Sequence, residues 1–339
     1  MEHQPQYVGI DLHRRRSVVV RMGADGTVVD TVRIENDART LAAELAKAGP
    51  SVEVAMEATL GWYWAADVIE DCGAHLHLAH PLGIKAFGYQ RVKKDESDAR
   101  LLADLLRMGR LPEAWVAPPA TRELREAVRY RHSLVEARAN AKAQVHGVLA
   151  KEGIKVPVSD LFGMAGNALL DTLALGDTYQ IRVASLRDLV ALHTREIAAL
   201  DALIHGRLAG DPGYQAIQAI PGVGRVLAGV FVAEIGDISR FSRPGQLCSW
   251  AGMTPRHRES DATLHRGKIT KQGSRLVRWA AVEAAASPRS EAFKADYRRI
   301  AGRRGKKIAA VAVGRKVLTL VFYGLRDGQI RSLATEDAA

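Results

Sequence analysis

The chain has 339 residues, of which 47% are hydrophobic and 25% charged, so it is long enough for two or three domains with a substantial core. Its formal net charge of +10 and its pI of about 9.7 favour a polyanionic partner, with nucleic acid first among the candidates. The two cysteines, Cys72 and Cys248, exclude a disulfide framework, predict no metal site and fit a reducing cytosol. No signal peptide is recognisable, and no apolar run approaches the roughly 20 residues that span a bilayer. We therefore expect a cytoplasmic protein without a membrane partner.

Strand-forming residues dominate the first third of the chain. We predict strands over 7–13, 17–22 and 27–34, with a hairpin turn at Asp25-Gly26, and two further strands over 51–57 and 74–79. Helices are predicted over 37–48 and 62–72, and another begins near residue 95. Three leading strands followed by strand–helix–strand units indicate an α/β domain, residues 1–118, with a mixed sheet flanked by helices.

Four acidic residues stand at the ends of these predicted elements. Asp11 lies in the first strand, Glu57 ends the fourth, and Asp95 and Asp98 share one face of the helix after the fifth. The order of elements resembles the ribonuclease-H-like fold, in whose nucleases these positions converge. Phosphodiester cleavage uses two metal ions about 4 Å apart, and Mg²⁺ prefers carboxylate oxygens. Each acid alone has a plainer explanation, such as a helix cap, so the Mg²⁺ site is predicted from all four together.

Histidines near these acids leave two interpretations open. His13 follows Asp11 by two residues on the same strand face and either contacts substrate or is structural. His75, His77 and His80 invite a zinc interpretation, but no companion cysteine or acid cluster supports it. We interpret these three as strand and strand-end residues.

Two long helices form the predicted middle region, residues 119–210. The first runs over 122–152 behind Thr121 as its cap, and the second over about 186–208. Apolar spacings of four and three in the second helix predict a coiled-coil-like seam, which consists of Leu186, Val190, His193, Ile197, Leu200 and Ile204. This seam either packs the two helices as an antiparallel pair or joins two protomers, and the two uses are compatible.

The final region, residues 211–330, is predicted to be mainly helical and to begin with a helix-hairpin-helix. Its hairpin is Ile220-Pro221-Gly222-Val223-Gly224-Arg225, whose glycines and following helix N-terminus suit a phosphate. A polar, basic loop is predicted over 256–272 and includes Lys268 and Lys271. A bare helix turn is the plainer interpretation of the hairpin.

Ser274 precedes a predicted helix over 276–286. Its position is that of a capping serine, which is sufficient to explain it. It also lies at a helix N-terminus beside Lys271, Arg275 and Arg278, where a nucleophile attacking phosphate would be favoured. No general base is evident beside it in the sequence.

The segment from Arg298 onward is strongly basic, with no acid between Asp296 and Asp327. We predict a loop loosened by Gly302 and Gly305 and then a closing helix over 307–325. A positively charged segment without acidic residues indicates a polyphosphate partner. The candidate contacts are Arg303, Arg304, Lys306 and Lys307.

Six motifs in order carry a resemblance to a known family. They are YVGIDLH, MEAT, KKDESDARLLADLL, IPGVG, SWAGMTP and KQGSRLVRWAAVEAA. Together they resemble the DEDD transposases of bacterial insertion sequences, the bridge-RNA-guided recombinases, over residues 7 to 325. The resemblance implies a RuvC-like catalytic domain, a coiled-coil region and a C-terminal transposase domain.

The resemblance also implies a mechanism. Asp11, Glu57, Asp95 and Asp98 would bind Mg²⁺, and Ser274 would form a covalent phosphoserine link to DNA. The partners implied are donor and target DNA, a structured bridge RNA and further copies of the chain in a dimer or dimer of dimers. The acids of one protomer would act together with the serine of another. The resemblance implies a bacterial protein associated with the nucleoid.

Two alternatives remain open. One is a Holliday-junction-type resolvase that uses the four acids alone, with Ser274 as a cap. The other is a non-catalytic nucleic-acid-binding relic of a mobile element, in which Asp11 performs no reaction.

Overall fold

The first unit of the chain begins with three strands, as its strand-forming residues predict. The computed structural model describes residues 6–50, 52–87, 95–260, 263–286 and 291–333, and it divides into two units, Met1–Ala117 and Pro118–Ala339. The elements of the first unit are β1 (Gln6–Leu12), β2 (Arg16–Gly23), β3 (Val28–Glu35), α1 (Ala38–Ala46), β4 (Glu53–Glu57), α2 (Trp62–Asp71), β5 (His75–Ala79), α3 (Pro81–Ile84) and α4 (Asp95–Arg107). The predicted mixed α/β domain is confirmed.

The sheet has the strand order β3-β2-β1-β4-β5, with β1 at its centre. β2 is antiparallel to β1 and β3, and β1, β4 and β5 are parallel. The hairpin at Asp25-Gly26 forms as predicted, because the Asp25 carboxylate accepts a hydrogen bond from the Thr27 amide at 2.9 Å. The C-terminal ends of β1 and β4 therefore lie side by side at one edge.

Alternation along β1 gives the two faces of the sheet different partners. Val8, Ile10 and Leu12 are buried in a core with α1 and α2. The odd-numbered residues face α4, since a Cβ on Gly9 would lie 2.0 Å from the Ala99 carbonyl oxygen. Only glycine permits this approach, which brings the first turn of α4 toward the end of β1.

The second unit is mainly helical, as predicted. Its elements are α5 (Pro119–Lys151), α6 (Met164–Thr172), α7 (Asp177–Leu208), α8 (Pro212–Ile217), α9 (Arg225–Ile235), α10 (Pro244–Trp250), β6 (Pro255–Ser260), β7 (Thr263–Ile269), α11 (Arg275–Ala286), α12 (Glu291–Arg304) and α13 (Lys306–Asp327), with short 3₁₀ turns at Ile238–Arg240 and Arg331–Leu333. α5 and α7 pack against each other, and α9, α11 and α13 enclose the core.

The predicted seam of α7 is used inside the chain. Leu186, Val190, Ile197 and Ile204 are buried, the first two in a cluster with Val145 and Val148 of α5. Of the two uses considered for the seam, the structure shows the packing of α5 against α7 within one chain. A separate coiled-coil region over 119–210 remains a prediction, as do the other two proposed domain boundaries.

Three predicted segments of the second unit differ in the structure. α7 begins at Asp177, earlier than predicted, because Gly176 ends the preceding loop and Asp177 places an acid in the first turn. The predicted basic loop forms the antiparallel pair β6–β7. The predicted loop at Arg298–Arg304 belongs to α12, because a single Gly302 does not outweigh the helix formers around it.

α13 also corrects the expectation that no apolar segment is long enough to cross a membrane. Among the described residues it is the one helix that qualifies by length and composition, with a mean hydropathy of 1.6 over an 18-residue window. Here Val313, Val317, Val321 and Phe322 are fully buried in the core of the second unit. Its apolar character is therefore explained by packing.

Candidate active site

The four predicted acids belong to one edge of the sheet in the first unit. Asp11 and Glu57 each stand one residue beyond the paired positions Ile10 and Met56 of the parallel strands β1 and β4. Both have the odd-numbered parity of the face that α4 covers, and Asp95 and Asp98 occupy the first turn of α4. The topology thus brings all four positions to the same edge and the same face.

Asp11, His13 and Asp95 form the tightest group at this edge. Their potential ligand atoms lie within 4.8 Å of one another. His13 Nε2 is 3.1 Å from Asp11 Oδ2 and 3.5 Å from Asp95 Oδ1. Among the described residues this is the one group of three or more acidic, histidine or cysteine side chains close enough to share an ion, and Glu57 and Asp98 stand beside it without being members.

Burial differs sharply between the two acids of the group. The Asp11 side chain is 12% exposed, whereas the Asp95 side chain is 46% exposed and that of His13 52%. A buried carboxylate next to a more exposed one favours a bound cation, because the ion offsets the cost of holding two negative charges together. The donor set of carboxylate oxygens and one imidazole is compatible with a divalent metal ion.

Arginines and acids share a groove beside this acidic group. The groove is lined by Arg14 and Arg15 of the β1–β2 turn, Arg16 of β2 and Arg33 of β3, together with the acids Glu35, Asp37 and Asp95. Arg33 Nη2 lies 3.7 Å from Asp95 Oδ2, and Arg16 Nη2 lies 3.4 Å from Glu35 Oε1. Several guanidinium groups next to a candidate metal site suit a phosphodiester.

Asn36 holds the turn that carries these arginines. Its backbone amide donates to the Arg15 carbonyl at 3.0 Å, and its side-chain amide donates to the His13 carbonyl at 2.6 Å. The buried Ser17 hydroxyl completes the clamp by donating to the Asn36 side-chain oxygen at 2.6 Å. The turn is therefore fixed by hydrogen bonds to the strand edge rather than by its charged side chains.

The loop before Ser274 is fixed by two glycines in the second unit. A Cβ on Gly273 (φ 94°) would lie 1.8 Å from the Trp250 carbonyl oxygen, and one on Gly252 (φ 69°) would lie 2.1 Å from the Gln272 carbonyl oxygen. The Lys271 amide also donates to the Gly252 carbonyl at 3.0 Å. The motifs SWAGMTP and KQGS therefore interlock, and this places Ser274 at the start of α11.

Ser274 caps a helix and also contacts a buried carboxylate. Its hydroxyl oxygen accepts a hydrogen bond from the Val277 amide at 3.2 Å, which is a helix cap. The same hydroxyl donates to Glu234 Oε2 at 2.9 Å. Ser274 is half-buried and lines an open pocket together with Glu234 and Arg129.

Glu234 is the residue beside Ser274 that the sequence did not reveal. It is 4% exposed, near the C-terminal end of the apolar helix α9. Arg129 of α5 pairs with both of its oxygens, with Nε at 2.7 Å from Oε1 and Nη2 at 3.1 Å from Oε2. Arg125 donates to the carbonyls of Ala233 and Glu234, each at 2.9 Å. These contacts hold the carboxylate against the serine.

The helix-hairpin-helix forms between α8 and α9. Gly222 packs against α11, because a Cβ there would lie 2.3 Å from the Ala284 carbonyl oxygen. Gly224 has open space around it, and Arg225 is exposed at the first position of α9. Gly224 and Arg225 are thus placed to meet a phosphate, whereas Gly222 faces the protein interior.

The cations predicted around Ser274 differ in their availability. Lys268, Lys271 and Arg275 are exposed, and Arg275 Nη2 lies 3.7 Å from Glu136 Oε1. Arg278 donates to the carbonyls of Ala251 and Gly273, each at 3.0 Å, and burial lowers its pKa. Arg278 thus supports the loop that presents Ser274.

Exposed cations cluster where α12 meets α13. Arg303, Arg304, Lys306 and Lys307 are all exposed on either side of Gly305. Two lysines at the N-terminus of α13 are opposed by the helix dipole, so this cluster is not explained by helix stability. It suits a polyanion.

Sequence reasoning did not identify Glu234 or Arg33, and it left the role of His13 open. The signal for Glu234 was a lone acid in an otherwise apolar helix segment, RVLAGVFVAEI. The histidines set aside as structural make ordinary contacts: His77 bonds Glu53 at 2.6 Å and Glu113 at 2.9 Å, and His80 caps α3.

Comparison with known proteins gives a consistent picture. A family model described as a transposase, of the DEDD type of IS110 elements, matches residues 8–152, and a model described as transposase IS116/IS110/IS902 family matches residues 214–298. A putative transposase, y4qE, of Sinorhizobium fredii is 29% identical over 84% of this chain and 72% of its own length. The transposase for insertion sequence element IS1328 of Yersinia enterocolitica is 24% identical over 70% of each chain. A pilin gene-inverting protein of Moraxella bovis is 30% identical over 33% of this chain and 37% of its own.

Proposed function

We propose that this chain, which belongs to the IS110 family of insertion-sequence transposases, cuts and rejoins donor and target DNA through a covalent phosphoserine intermediate. The family makes it a DNA recombination enzyme. The finer proposal assigns Asp11, Glu57, Asp95 and Asp98 to Mg²⁺ binding and Ser274 to nucleophilic attack.

The observation that carries the metal assignment is the meeting of Asp11 and Asp95. They come from a central strand and a separate helix, yet their oxygens approach within 4.8 Å of each other and of His13. Glu57 lies at the adjacent strand end, and Asp98 lies in the same helical turn as Asp95. When bound, Mg²⁺ stabilises charge on phosphate oxygens. The arginines of the groove bind and orient the same phosphate.

The contacts of Ser274 support its assignment as nucleophile. Its hydroxyl is half-buried, opens into a pocket and donates to a buried carboxylate. The N-terminus of α11 begins at the next residue, so its amides stabilise negative charge on an attacked phosphate. A serine that served only as a cap would have no need of the buried Glu234.

A trapping experiment tests the proposal directly. The full chain is incubated with Mg²⁺, RNA transcribed from the noncoding end of its element, and donor and target DNA, and it is then denatured on a gel. We expect a protein–DNA adduct that is absent with Ser274→Ala and retained with Ser249→Ala, an exposed serine of α10.

The resolvase alternative makes the opposite prediction. If Ser274→Ala cleaves branched DNA at the wild-type rate and no adduct forms under active conditions, the four acids act without the serine. If the wild-type chain binds the DNA but forms no product, and Asp11→Asn binds equally well, the chain is a binding relic.

RNA guidance is proposed from the family resemblance and the charge of the chain. The net charge of +10 and the exposed cations at the α12–α13 junction suit two polyphosphate partners. Omitting the RNA should abolish the adduct, whereas an adduct of equal yield without RNA would contradict guidance.

Self-association is proposed through a face of α7 other than its buried seam. Ile181, Leu189, Leu192 and Leu203 are 71%, 41%, 39% and 44% exposed. At 100° per residue these four side chains fall on one stripe. Leu189→Glu with Leu203→Glu should convert dimers to monomers in light scattering, and unchanged mass would exclude this stripe as the interface.

A further inference from the structure

We infer that Glu234 accepts the proton of the Ser274 hydroxyl when that oxygen attacks phosphate, and that Arg129 is the positioning residue for this carboxylate. The inference rests on the proposed phosphoserine chemistry and identifies the base that the sequence left unassigned. No distant acid is needed for this step.

The first support is the direction of the hydrogen bond. The Ser274 hydroxyl donates to Glu234 Oε2 at 2.9 Å, which is within the distance required of a general base. One of the two lone pairs of the serine oxygen accepts from the Val277 amide at 3.2 Å, and the other is left for attack. The bond to Val277 orients the oxygen, while the bond to Glu234 defines where its proton goes.

The second support is the placement of Glu234 against local stability. It is 4% exposed and lies in the last turn of α9, where the helix dipole disfavours a carboxylate. An apolar residue would fill such a position at lower cost. Residues that oppose local preferences in this way are expected at functional sites.

The third support is how Arg129 arranges the carboxylate. Its guanidinium binds both oxygens, at 2.7 and 3.1 Å, and leaves Oε2 shared with the serine. Arg125 fixes the backbone of the same turn through two carbonyls. The carboxylate therefore has one orientation relative to Ser274.

The step balances as a phosphoryl transfer. The Ser274 oxygen forms a bond to phosphorus, the bond from phosphorus to the leaving deoxyribose oxygen breaks, and the serine proton passes to Glu234. The leaving oxygen departs as a hydroxyl with a proton from water. In the reverse, rejoining direction, Glu234 returns its proton to the serine oxygen.

Other charged groups face the same pocket and are alternative proton acceptors or donors. His132, Glu136 and Arg275 line it, with His132 Nε2 at 3.6 Å and Arg275 Nη2 at 3.7 Å from Glu136 Oε1. Within the described contacts, the Ser274 hydroxyl bonds to Glu234 and to none of these three.

The test measures the rate of Ser274–DNA adduct formation with the full chain, Mg²⁺, RNA and DNA. Glu234→Gln should slow the adduct by about 10² to 10⁴-fold. Arg129→Lys should give a smaller loss, because it keeps a positive charge beside the carboxylate. Glu44→Gln, which replaces another buried glutamate in the first unit, should match wild type.

A rescue measurement separates proton transfer from folding. Glu234→Ala with added formate should recover part of its adduct rate, because formate supplies a carboxylate in the open pocket, while Ser274→Ala with formate should not. Glu234→Gln that forms the adduct at the wild-type rate would overturn the inference and leave the phosphoserine proposal standing. An adduct that persists in Ser274→Ala would overturn both.

Discussion

Carboxylates occupy two contrasting environments in this molecule. At the sheet edge of the first unit, Asp11 and Asp95 lie together with only a half-exposed histidine inside the cluster. In the second unit, Glu234 is buried and paired through both oxygens with Arg129. The first arrangement is open at Asp95, which has Arg33 at 3.7 Å, whereas the second is enclosed and bound through both carboxylate oxygens.

This difference teaches what each site requires from outside the chain. A group of acids at a sheet edge becomes more stable when a cation joins it, whereas a carboxylate already paired with arginine gains nothing from a metal ion. We therefore expect the first unit to respond to Mg²⁺ and the serine site to respond to changes in its arginine and its loop.

The largest expected effect is the loss of activity in Asp11→Asn. Removing one charge from the buried ligand should lower adduct formation by about 10³-fold, since metal-assisted charge stabilisation contributes several kcal/mol. The same variant should lose the Mg²⁺-dependent rise in the melting temperature of the protein. Glu70→Gln on the exposed side of α2 is the matched control, and a wild-type response of Asp11→Asn to Mg²⁺ would remove Asp11 from the metal site.

Breaking the pair of Glu234 and Arg129 should lower the stability of the second unit. Arg129→Ala leaves Glu234 buried without its cation and should lower the free energy of unfolding by about 3 to 5 kcal/mol. Arg131→Ala breaks a similar two-contact pair with Asp201, whose side chain is 39% exposed, and should cost about 1 kcal/mol. Urea denaturation compares them, and equal losses would show that burial of the acid is not decisive.

The loop that presents Ser274 gives a third comparison. Gly273→Ala introduces both a strained φ and a clash with the Trp250 carbonyl. It should lower the free energy of unfolding by about 3 kcal/mol and abolish formation of the adduct. Gly61→Ala has a similar φ of 87° in the left-handed region with open space around it, and should cost about 1 kcal/mol. Thermal unfolding distinguishes them; a mild Gly273→Ala would mean that the interlock with Trp250 can relax.

The smallest expected effect is a pH dependence in the first unit. Partial burial lowers the pKa of His77, but its hydrogen bonds to Glu53 and Glu113 outweigh burial and raise the pKa above the usual value of about 6.5. The stabilisation by charged His77 is then full below that unfolded value and is lost as pH rises through the raised folded pKa. Wild type should therefore lose up to about 1 kcal/mol between pH 6 and 9 relative to His77→Asn. Parallel stability curves would contradict this.

Local patterns predicted most of the first unit. Strand-forming residues and the Asp25-Gly26 turn predicted β2 and β3, and the Asn36-Asp37 pair marked the start of α1, where Asp37 is the cap. Local patterns did not predict β6 and β7, which lack a strong turn signal between them in the sequence. They also did not predict α12, where a basic segment was interpreted as a loop. Charge patterns predict a partner better than they predict a backbone conformation.

The sequence by itself indicated most of the candidate site residues and the element in which each one stands, because strand and helix periodicities are local and the family motifs are contiguous. The tertiary structure decided which of them meet. His13 joins Asp95 because glycine at position 9 lets α4 approach β1. Glu234 reaches Ser274 across 40 residues because Arg129 of a third helix holds its carboxylate there. Such contacts depend on the docking of separate elements, and no spacing within one element encodes them.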